Sequence, residues 1–298
     1  MGRRTKDSGR DGVLILDKPA GITSHDVVAR CRRVFGQARA GHSGTLDPDA
    51  TGVMLVGFGQ GTKLLPYLTA LGKTYTAEVV LGTETSTLDD SGDVVATYDM
   101  AGITLEQVRQ AAGRFVGPIL QLPPMVSAVR VAGKRLHQYE REGIAVERTP
   151  RPVTVYRYDV FDEVAPGVFS VEVHCSSGTY VRTLAADVGT ALGGGAHLRT
   201  LRRSAVGPFT HAEAVPLDDD LGGRPMLSLR EALRGRAMAV VDADTVALIR
   251  NGRVLADEVF GDAVSDTAWG VCGPDEVLVS VYERFRGGES KPAVVITR

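Results

Sequence analysis

Cysteine is scarce in this sequence. Cys31, Cys175 and Cys272 form no CxxC pair, and none lies near a second cysteine or a histidine at zinc-finger spacing. His174 does adjoin Cys175, but neighbours on a strand point to opposite faces and would not bind one metal together. We therefore expect a reducing compartment and no structural metal.

Long apolar runs are also missing. No stretch approaches the roughly 20 apolar residues that a membrane-spanning helix needs. Residues 1–11 are charged and contain glycine, and no apolar core of a signal peptide follows them. We expect residues 1–11 to form a disordered tail, and we expect a cytoplasmic protein with no membrane partner.

Neither sign of charge dominates the whole chain. The net charge is −2 over 298 residues. Residues 1–211 hold 24 basic and 21 acidic side chains, whereas residues 212–298 hold 10 and 15. A basic surface on the first part is compatible with RNA binding but does not establish it.

Strand and helix patterns follow one another without a strict βαβ order. The apolar run at residues 13–16 predicts a strand, and Ser24 is predicted to cap a helix that ends near Gly36. A polar, glycine-rich loop at residues 37–52 is long enough to suggest a function, and residues 216–225 are predicted to form a linker.

This mixture predicts an α+β fold with two parts. The larger part covers residues 12–235. The smaller part is a β-rich module over residues 238–298.

The polar loop carries the most specific motif. Residues 41–52 read GHSGTLDPDATG and resemble the GHxGxLDPxATG signature of the TruB family of pseudouridine synthases at every fixed position. A match with so many fixed positions is far more specific than a lone glycine motif. Other family-like motifs follow in the family's order: DKPAGITS at 17–24, KTY at 73–75, QLPPMVSA at 121–128, SGTYVRTL at 177–184, GAHL at 195–198 and LRR at 201–203.

The resemblance implies a fold and a function. Residues 12–235 would form a mixed-sheet pseudouridine synthase catalytic domain with the active-site cleft across its sheet. The resemblance implies conversion of uridine to pseudouridine at position 55 in the T-loop of tRNA, by a monomer that needs no cofactor, no metal and no obligatory protein partner. Residues 121–152 resemble the family's insert that closes over RNA. Residues 238–298 resemble a PUA-type RNA-binding module, although this match is weaker.

The resemblance also assigns catalytic roles. Asp47 would either attack the sugar as a nucleophile or remove a proton from ribose C2′, and the sequence does not decide between the two. Outside the resemblance, Asp47-Pro48 would be typical of a turn. Arg182 would pair with Asp47 and keep it ionised. Tyr75 would stack on the target base and assist in removing its carbon-5 proton.

Four more residues are implied to contact the flipped nucleotide. Tyr180 and Leu201 would line the base pocket, Asp89 would lie near the uracil edge, and His42 would fill the gap left in the RNA stack. The plainer alternatives are core packing, a turn aspartate and a loop histidine bonded to its own backbone. Candidate phosphate contacts are Lys18, Arg130, Lys134, Arg135, Arg141, Arg202 and Arg203.

Four positions depart from the family's usual residues. Val126 and His137 replace tyrosine, and Arg130 and Ser177 replace lysine. We expect these differences to alter details of the RNA contacts and not the reaction.

Three other functions are alternatives. A guide-RNA-dependent pseudouridine synthase shares the chemistry, but the insert favours an enzyme that acts alone. A tRNA-folding chaperone could act alongside or instead of catalysis. An aspartate-dependent glycosidase needs a second facing carboxylate, which no motif clearly supplies.

Overall fold

A computed structural model describes residues 9–127 and 129–297. The predicted tail at residues 1–8 lies outside the described residues, and residues 9–11 are exposed. The strands are β1 Gly12–Lys18, β2 Ala40–His42, β3 Thr51–Phe58, β4 Lys73–Leu81, β5 Thr83–Thr85, β6 Val94–Thr97, β7 Gly117–Gln121, β8 Arg130–Val131, β9 Lys134–Arg135, β10 Arg151–Ala165, β11 Val168–Cys175, β12 Ala196–Val206, β13 Phe209–Thr210, β14 Val215–Pro216, β15 Met238–Val240, β16 Leu255–Ala256, β17 Trp269–Cys272, β18 Leu278–Arg286 and β19 Glu289–Val295. The helices are α1 Ser24–Phe35, α2 Leu65–Thr69, α3 Leu105–Gly113, α4 Leu136–Arg141, α5 Val181–Ala191 and α6 Ala243–Arg250.

A mixed ten-stranded sheet organises the larger part of the chain. Its main path runs β14-β1-β3-β12-β4-β11-β10-β7, with β2 beside β3 and β13 beside β12. The pairs β1–β14 and β3–β12 are parallel, and the other pairs are antiparallel. The predicted α+β mixed-sheet fold is confirmed. The sheet brings β3, β4 and β12, which are distant in sequence, side by side at its centre.

Strand β1 is buried on both faces because the sheet is covered on both sides there. Leu14 and Leu16 pack with helix α1, whereas Val13 and Ile15 face the opposite way. This second face packs against the C-terminal part of the chain, including Ile296, Cys272, Leu278 and Val281 in the same cluster. The alternation of a β-strand thus distributes one apolar run between two cores.

The C-terminal part folds as its own five-stranded sheet in the order β15-β17-β18-β19-β16. Trp269 and Tyr282 fill its separate core around Phe260. Polar contacts add to the apolar contact with the part that contains the ten-stranded sheet. Lys63 Nζ donates to the Val295 carbonyl at 2.7 Å, and Gln60 Nε2 donates to the Thr297 carbonyl at 2.8 Å.

Two local predictions were wrong. The N-cap of α1 is Thr23, whose hydroxyl accepts from the Asp26 amide, and not Ser24. Residues 216–225 are not a linker, because Leu221 is fully buried in the core beside α1. Among the described residues, no helix is both long and apolar enough to cross a membrane.

Candidate active site

The signature loop at residues 41–52 is held by the segment that precedes α1. The buried Ser24 hydroxyl accepts from the Leu46 amide at 2.9 Å and donates to the Leu46 carbonyl at 3.1 Å. The Gly21 amide donates to the Pro48 carbonyl at 3.0 Å. These contacts fix the backbone on both sides of Asp47. The motif at residues 17–24 thus holds the signature loop, although the two lie apart in sequence.

Lys18 holds the same loop by hydrogen bonds from the protein interior. Its ammonium donates to the carbonyls of Pro48 and Ala50, both at 2.7 Å, and to that of Pro19 at 3.0 Å. The side chain is fully buried, and burial lowers the pKa of Lys18 to about 8 against the opposing charges of Asp49 and Asp47. The expected phosphate contact is therefore not what the structure shows, since all three ammonium protons already have backbone partners.

Arg203 also differs from the expected phosphate contact. It is 1% exposed, and its Nε donates to the Val53 carbonyl at 2.7 Å. Its remaining nitrogens reach the carbonyls of Gly44 and Thr45 at 3.2 and 3.4 Å. Opposite it, a Cβ on Gly52 would come within 2.2 Å of the Arg203 carbonyl, so only glycine allows β3 and β12 to meet here.

Asp47 pairs with Arg182, as the sequence predicted. Arg182 Nε lies 3.1 Å from Asp47 Oδ2, and Arg182 Nη1 lies 3.2 Å from Asp89 Oδ2. Arg182 is 3% exposed, and its Nη1 and Nη2 also donate to the carbonyls of Thr87 at 2.7 Å and Val126 at 2.9 Å. One guanidinium thus joins the signature-loop aspartate, a second carboxylate and two backbone segments in a fixed geometry.

The electrostatic environment of Asp47 opposes its ionisation. Burial raises the pKa of Asp47 above its ordinary value, and the nearby Asp89 carboxylate raises it further. Arg182 and Lys18 act in the opposite direction. Arg182 therefore favours the charged carboxylate against the desolvation of the cleft.

Asp47 lies where two cavities meet. A cavity of about 830 Å³ crosses the face of the central sheet, and a smaller one of about 230 Å³ lies beside it. Asp47, Arg182 and Leu201 line both cavities. The larger one is also lined by Asp89, Val126, Phe161, Arg199 and Arg202, and the smaller one by Lys73, Tyr75, Ser127, Tyr180 and Arg203.

The smaller cavity contains the two tyrosines that the sequence singled out. Tyr75 on β4 is 9% exposed and lines this cavity together with Arg203. Tyr180 precedes α5 and lines it together with Ser127. Burial raises the pKa of both phenols, so each is a neutral donor at physiological pH.

The other expected substrate contacts are more dispersed. His42 ends β2, outside the residues that line the two cavities, and its Nδ1 accepts from the Gly44 amide at 3.2 Å. Burial lowers the pKa of His42, which favours the neutral ring. Arg202 lines the larger cavity and forms a bidentate pair with Asp17 at 3.0 and 2.7 Å. Arg130 is exposed on the β8–β9 hairpin of the insert.

Sequence reasoning missed several residues that complete the site. Lys73 lines the smaller cavity and is 5% exposed; burial lowers its pKa to about 8. The Gln121 side chain hydrogen-bonds the backbone of Tyr180. Both belong to motifs already recognised, KTY and QLPPMVSA, so those motifs were the available signal. The His137 side chain, one of the four departures, lies outside the described part.

No metal centre is formed in the part of the chain that the structure describes. There, no group of three or more His, Cys, Asp or Glu side chains could hold a metal ion.

Comparisons with known proteins point to one family. The model of the TruB family pseudouridylate synthase N-terminal domain matches residues 32–181, and that of the tRNA pseudouridylate synthase B C-terminal domain matches residues 182–221. A Mycolicibacterium paratuberculosis protein named tRNA pseudouridine synthase B is 45% identical over 96% of this chain and 97% of its own length. A Rhodococcus jostii protein of the same name is 47% identical over 82% of each chain.

Solved structures agree on the fold. A chain in the crystal structure of a Cbf5-Nop10-Gar1 complex superposes with a TM-score of 0.74 at 26% identity, covering 96% of this chain and 84% of that one. A chain in an H/ACA RNP bound to a substrate RNA containing 2′-deoxyuridine gives 0.72 at 24% identity, covering 96% and 85%. With the signature loop, the Asp47–Arg182 pair and nearly full-length relatives in agreement, the chain belongs to the TruB family of pseudouridylate synthases.

Proposed function

We propose that this protein converts uridine to pseudouridine in tRNA and that Asp47 is its essential catalytic residue. The observation that carries the proposal is the Asp47–Arg182 pair, at 3.1 Å, where the two cavities meet. A carboxylate there reaches a substrate group in either cavity. The relatives named tRNA pseudouridine synthase B, similar over almost the whole chain, support tRNA as the substrate.

The reaction is an isomerisation, so its bonds must balance within one nucleotide. The C1′–N1 bond breaks, the free uracil turns, and a C1′–C5 bond forms. The proton on C5 leaves, and N1 gains one. Asp47 acts at the sugar, either as a nucleophile at C1′ or as a base at C2′, and in both cases it must be ionised. Arg182 supplies the charge that keeps it so.

The smaller cavity suits the detached base. Tyr75, Tyr180 and Leu201 surround the space next to Asp47, and they provide aromatic and apolar surfaces for a pyrimidine ring. A base must leave its stack to reach this depth, at a cost of a few kcal/mol that these contacts offset. Tyr75, the more buried phenol, is the residue we assign to stacking and to assistance at C5.

The larger cavity suits the rest of the RNA loop. It crosses the sheet and carries Arg199 and Arg202, each paired with a carboxylate, beside the apolar surfaces of Phe161 and Val126. Cations next to stacking surfaces are typical of sites that hold unpaired RNA. We extend the proposal to uridine 55 of the T-loop, with residues 121–152 and 238–298 contributing further RNA contacts. A cytoplasmic monomer remains our prediction.

A guide-RNA-dependent synthase is the alternative with the same chemistry. A chain of an H/ACA RNP bound to a substrate RNA has a similar fold, and at 24% identity this likeness shows the fold alone. The 45% identity to a relative named for tRNA, over 96% of this chain, favours the stand-alone enzyme. Activity of the purified protein on tRNA without any guide RNA separates the two.

The test measures tritium release from tRNA that carries uridine labelled at carbon 5. The wild type should release tritium, and Asp47→Asn should not. Asp99→Asn, which removes the same charge from an exposed turn, is the matched control and should behave like the wild type. Release by Asp47→Asn would mean that another carboxylate carries the reaction.

The same variant separates catalysis from chaperone activity. Asp47→Asn should bind tRNA as well as the wild type does, because the RNA surface is unchanged. If the wild type binds and refolds tRNA but releases no tritium, the chaperone function replaces the enzymatic one.

A further inference from the structure

Gln121 is a buried polar residue that connects two parts of the site. It is the last residue of β7, it precedes the insert, and it is 3% exposed. Its Nε2 donates to the Tyr180 carbonyl at 3.0 Å, and its Oε1 accepts from the Tyr180 amide at 2.7 Å. One side-chain amide thus satisfies both backbone groups of a single residue, as a neighbouring β-strand would.

Tyr180 is a position where backbone orientation matters for chemistry. It is the N-cap of α5, and its side chain makes no capping hydrogen bond. Its side chain lines the smaller cavity, and Arg182 follows two residues later. The orientation of the Tyr180 peptide therefore sets the direction of a pocket residue and of the partner of Asp47.

The segment that begins at Gln121 approaches the same two residues again. The Val126 carbonyl accepts from Arg182 Nη2 at 2.9 Å, and Ser127 lines the smaller cavity together with Tyr180. The Val126 contact fixes the end of the Arg182 side chain, whereas Gln121 fixes the backbone from which the Tyr180 and Arg182 side chains start. Gln121 therefore controls the start of α5 directly.

We infer that Gln121 is a positioning residue for pseudouridine formation: its amide clamps the Tyr180 peptide and so aligns Tyr180 and Arg182 with Asp47. The inference rests on the proposed function and deepens it. Misplacing groups by about 1 Å costs roughly 100-fold in rate. Loss of the clamp should therefore lower kcat by roughly 10- to 100-fold and leave the affinity for tRNA unchanged.

Two variants of similar size test the clamp. Gln121→Met removes both hydrogen bonds. Gln121→Glu keeps the acceptor for the Tyr180 amide, and its protonated form keeps the donor as well. We expect kcat in the order wild type, Gln121→Glu, Gln121→Met. A role in stability alone predicts an unchanged kcat per folded enzyme and the opposite order for the folded fractions of the two variants, because burying a carboxylate beside a carbonyl costs more than burying a thioether.

Hydrogen exchange at the Tyr180 amide, followed by NMR, gives a readout that does not depend on activity. Exchange should accelerate by roughly tenfold or more in Gln121→Met, because the amide loses its partner. Gln110→Met is the matched control, since Gln110 is exposed on α3, and it should leave both the exchange and kcat unchanged. Rates are compared per folded enzyme, with the folded fraction measured by circular dichroism.

The outcomes separate this inference from the proposed function. If the wild type releases no tritium, the proposed function fails, and the exchange of the Tyr180 amide alone judges the clamp. An unchanged kcat in Gln121→Met overturns the inference. Gln121→Glu keeps the test decisive if Gln121→Met does not fold. A folded Gln121→Glu protein with wild-type kcat and a freely exchanging Tyr180 amide would also overturn the inference.

Discussion

Replacing Arg182 by methionine removes the guanidinium that lies between two carboxylates. Arg182 is 3% exposed and contacts Asp47 at 3.1 Å and Asp89 at 3.2 Å. Removing one partner of a buried ion pair costs about 3–5 kcal/mol. The two aspartate side chains stay 40% and 23% exposed, so the lower end applies. We expect Arg182→Met to lower the free energy of unfolding at pH 7.5 by about 3 kcal/mol, and to abolish activity.

The pH dependence of that loss identifies its origin. Burial already raises the pKa of Asp47, and removal of Arg182 raises it further. A carboxyl whose folded-state pKa lies above its unfolded value destabilises the fold above the folded-state pKa. That penalty disappears as the pH falls toward the ordinary value of about 3.9. The destabilisation by Arg182→Met should therefore be smaller at pH 5.0 than at pH 7.5.

Urea unfolding at the two pH values measures both effects. The control is Arg199→Met, which breaks the pair between Arg199 and Glu78, 39% and 30% exposed. Surface pairs contribute about 0–1 kcal/mol, so this variant should change little. Equal losses in the two variants, or a loss in Arg182→Met that does not shrink at pH 5.0, would refute the assignment of Arg182 as the counter-ion of a desolvated carboxylate.

Three further predictions address separate parts of the site. Burial raises the pKa of Asp47, so the acid limb of the profile of kcat/KM against pH should lie above the ordinary carboxyl pKa of about 3.9. An acid limb at or below that value would contradict the burial of Asp47. Lys18→Met leaves three carbonyls without their donor, so the free energy of unfolding in urea should fall by about 3 kcal/mol. A fall below about 1 kcal/mol would mean that these hydrogen bonds do not stabilise the loop. Arg130→Ala on the exposed hairpin should reduce the salt dependence of tRNA binding by about one unit of slope at unchanged kcat; a filter-binding series in which the slope stays constant counts against this phosphate contact.

The sequence motifs predicted which residues lie together better than how the site is built. Asp47, Arg182 and Tyr75 come from three separate motifs and line one cavity, and their catalytic roles stay a prediction. Lys18 was predicted to be a candidate phosphate contact. Only the fold reveals that three carbonyls of one loop converge on its ammonium.

The remaining errors share a physical cause. Thr23 and Ser24 are equally good N-caps by residue type, and the burial of Ser24 against Leu46 decides between them. Residues 216–225 have the composition of a linker, yet Leu221 fills a gap beside α1. Such choices depend on contacts between distant segments, which local propensity does not encode.

The apolar face shared by β1 and the C-terminal sheet has a consequence for how the protein can be divided. Val13 and Ile15 belong to the same cluster as Cys272, Leu278 and Ile296, so a chain ending before β15 would expose the back of the central sheet to water. Exposed contiguous apolar surfaces of this kind promote association. The ten-stranded sheet and the C-terminal sheet share one common apolar interior, so we expect the two parts to unfold together.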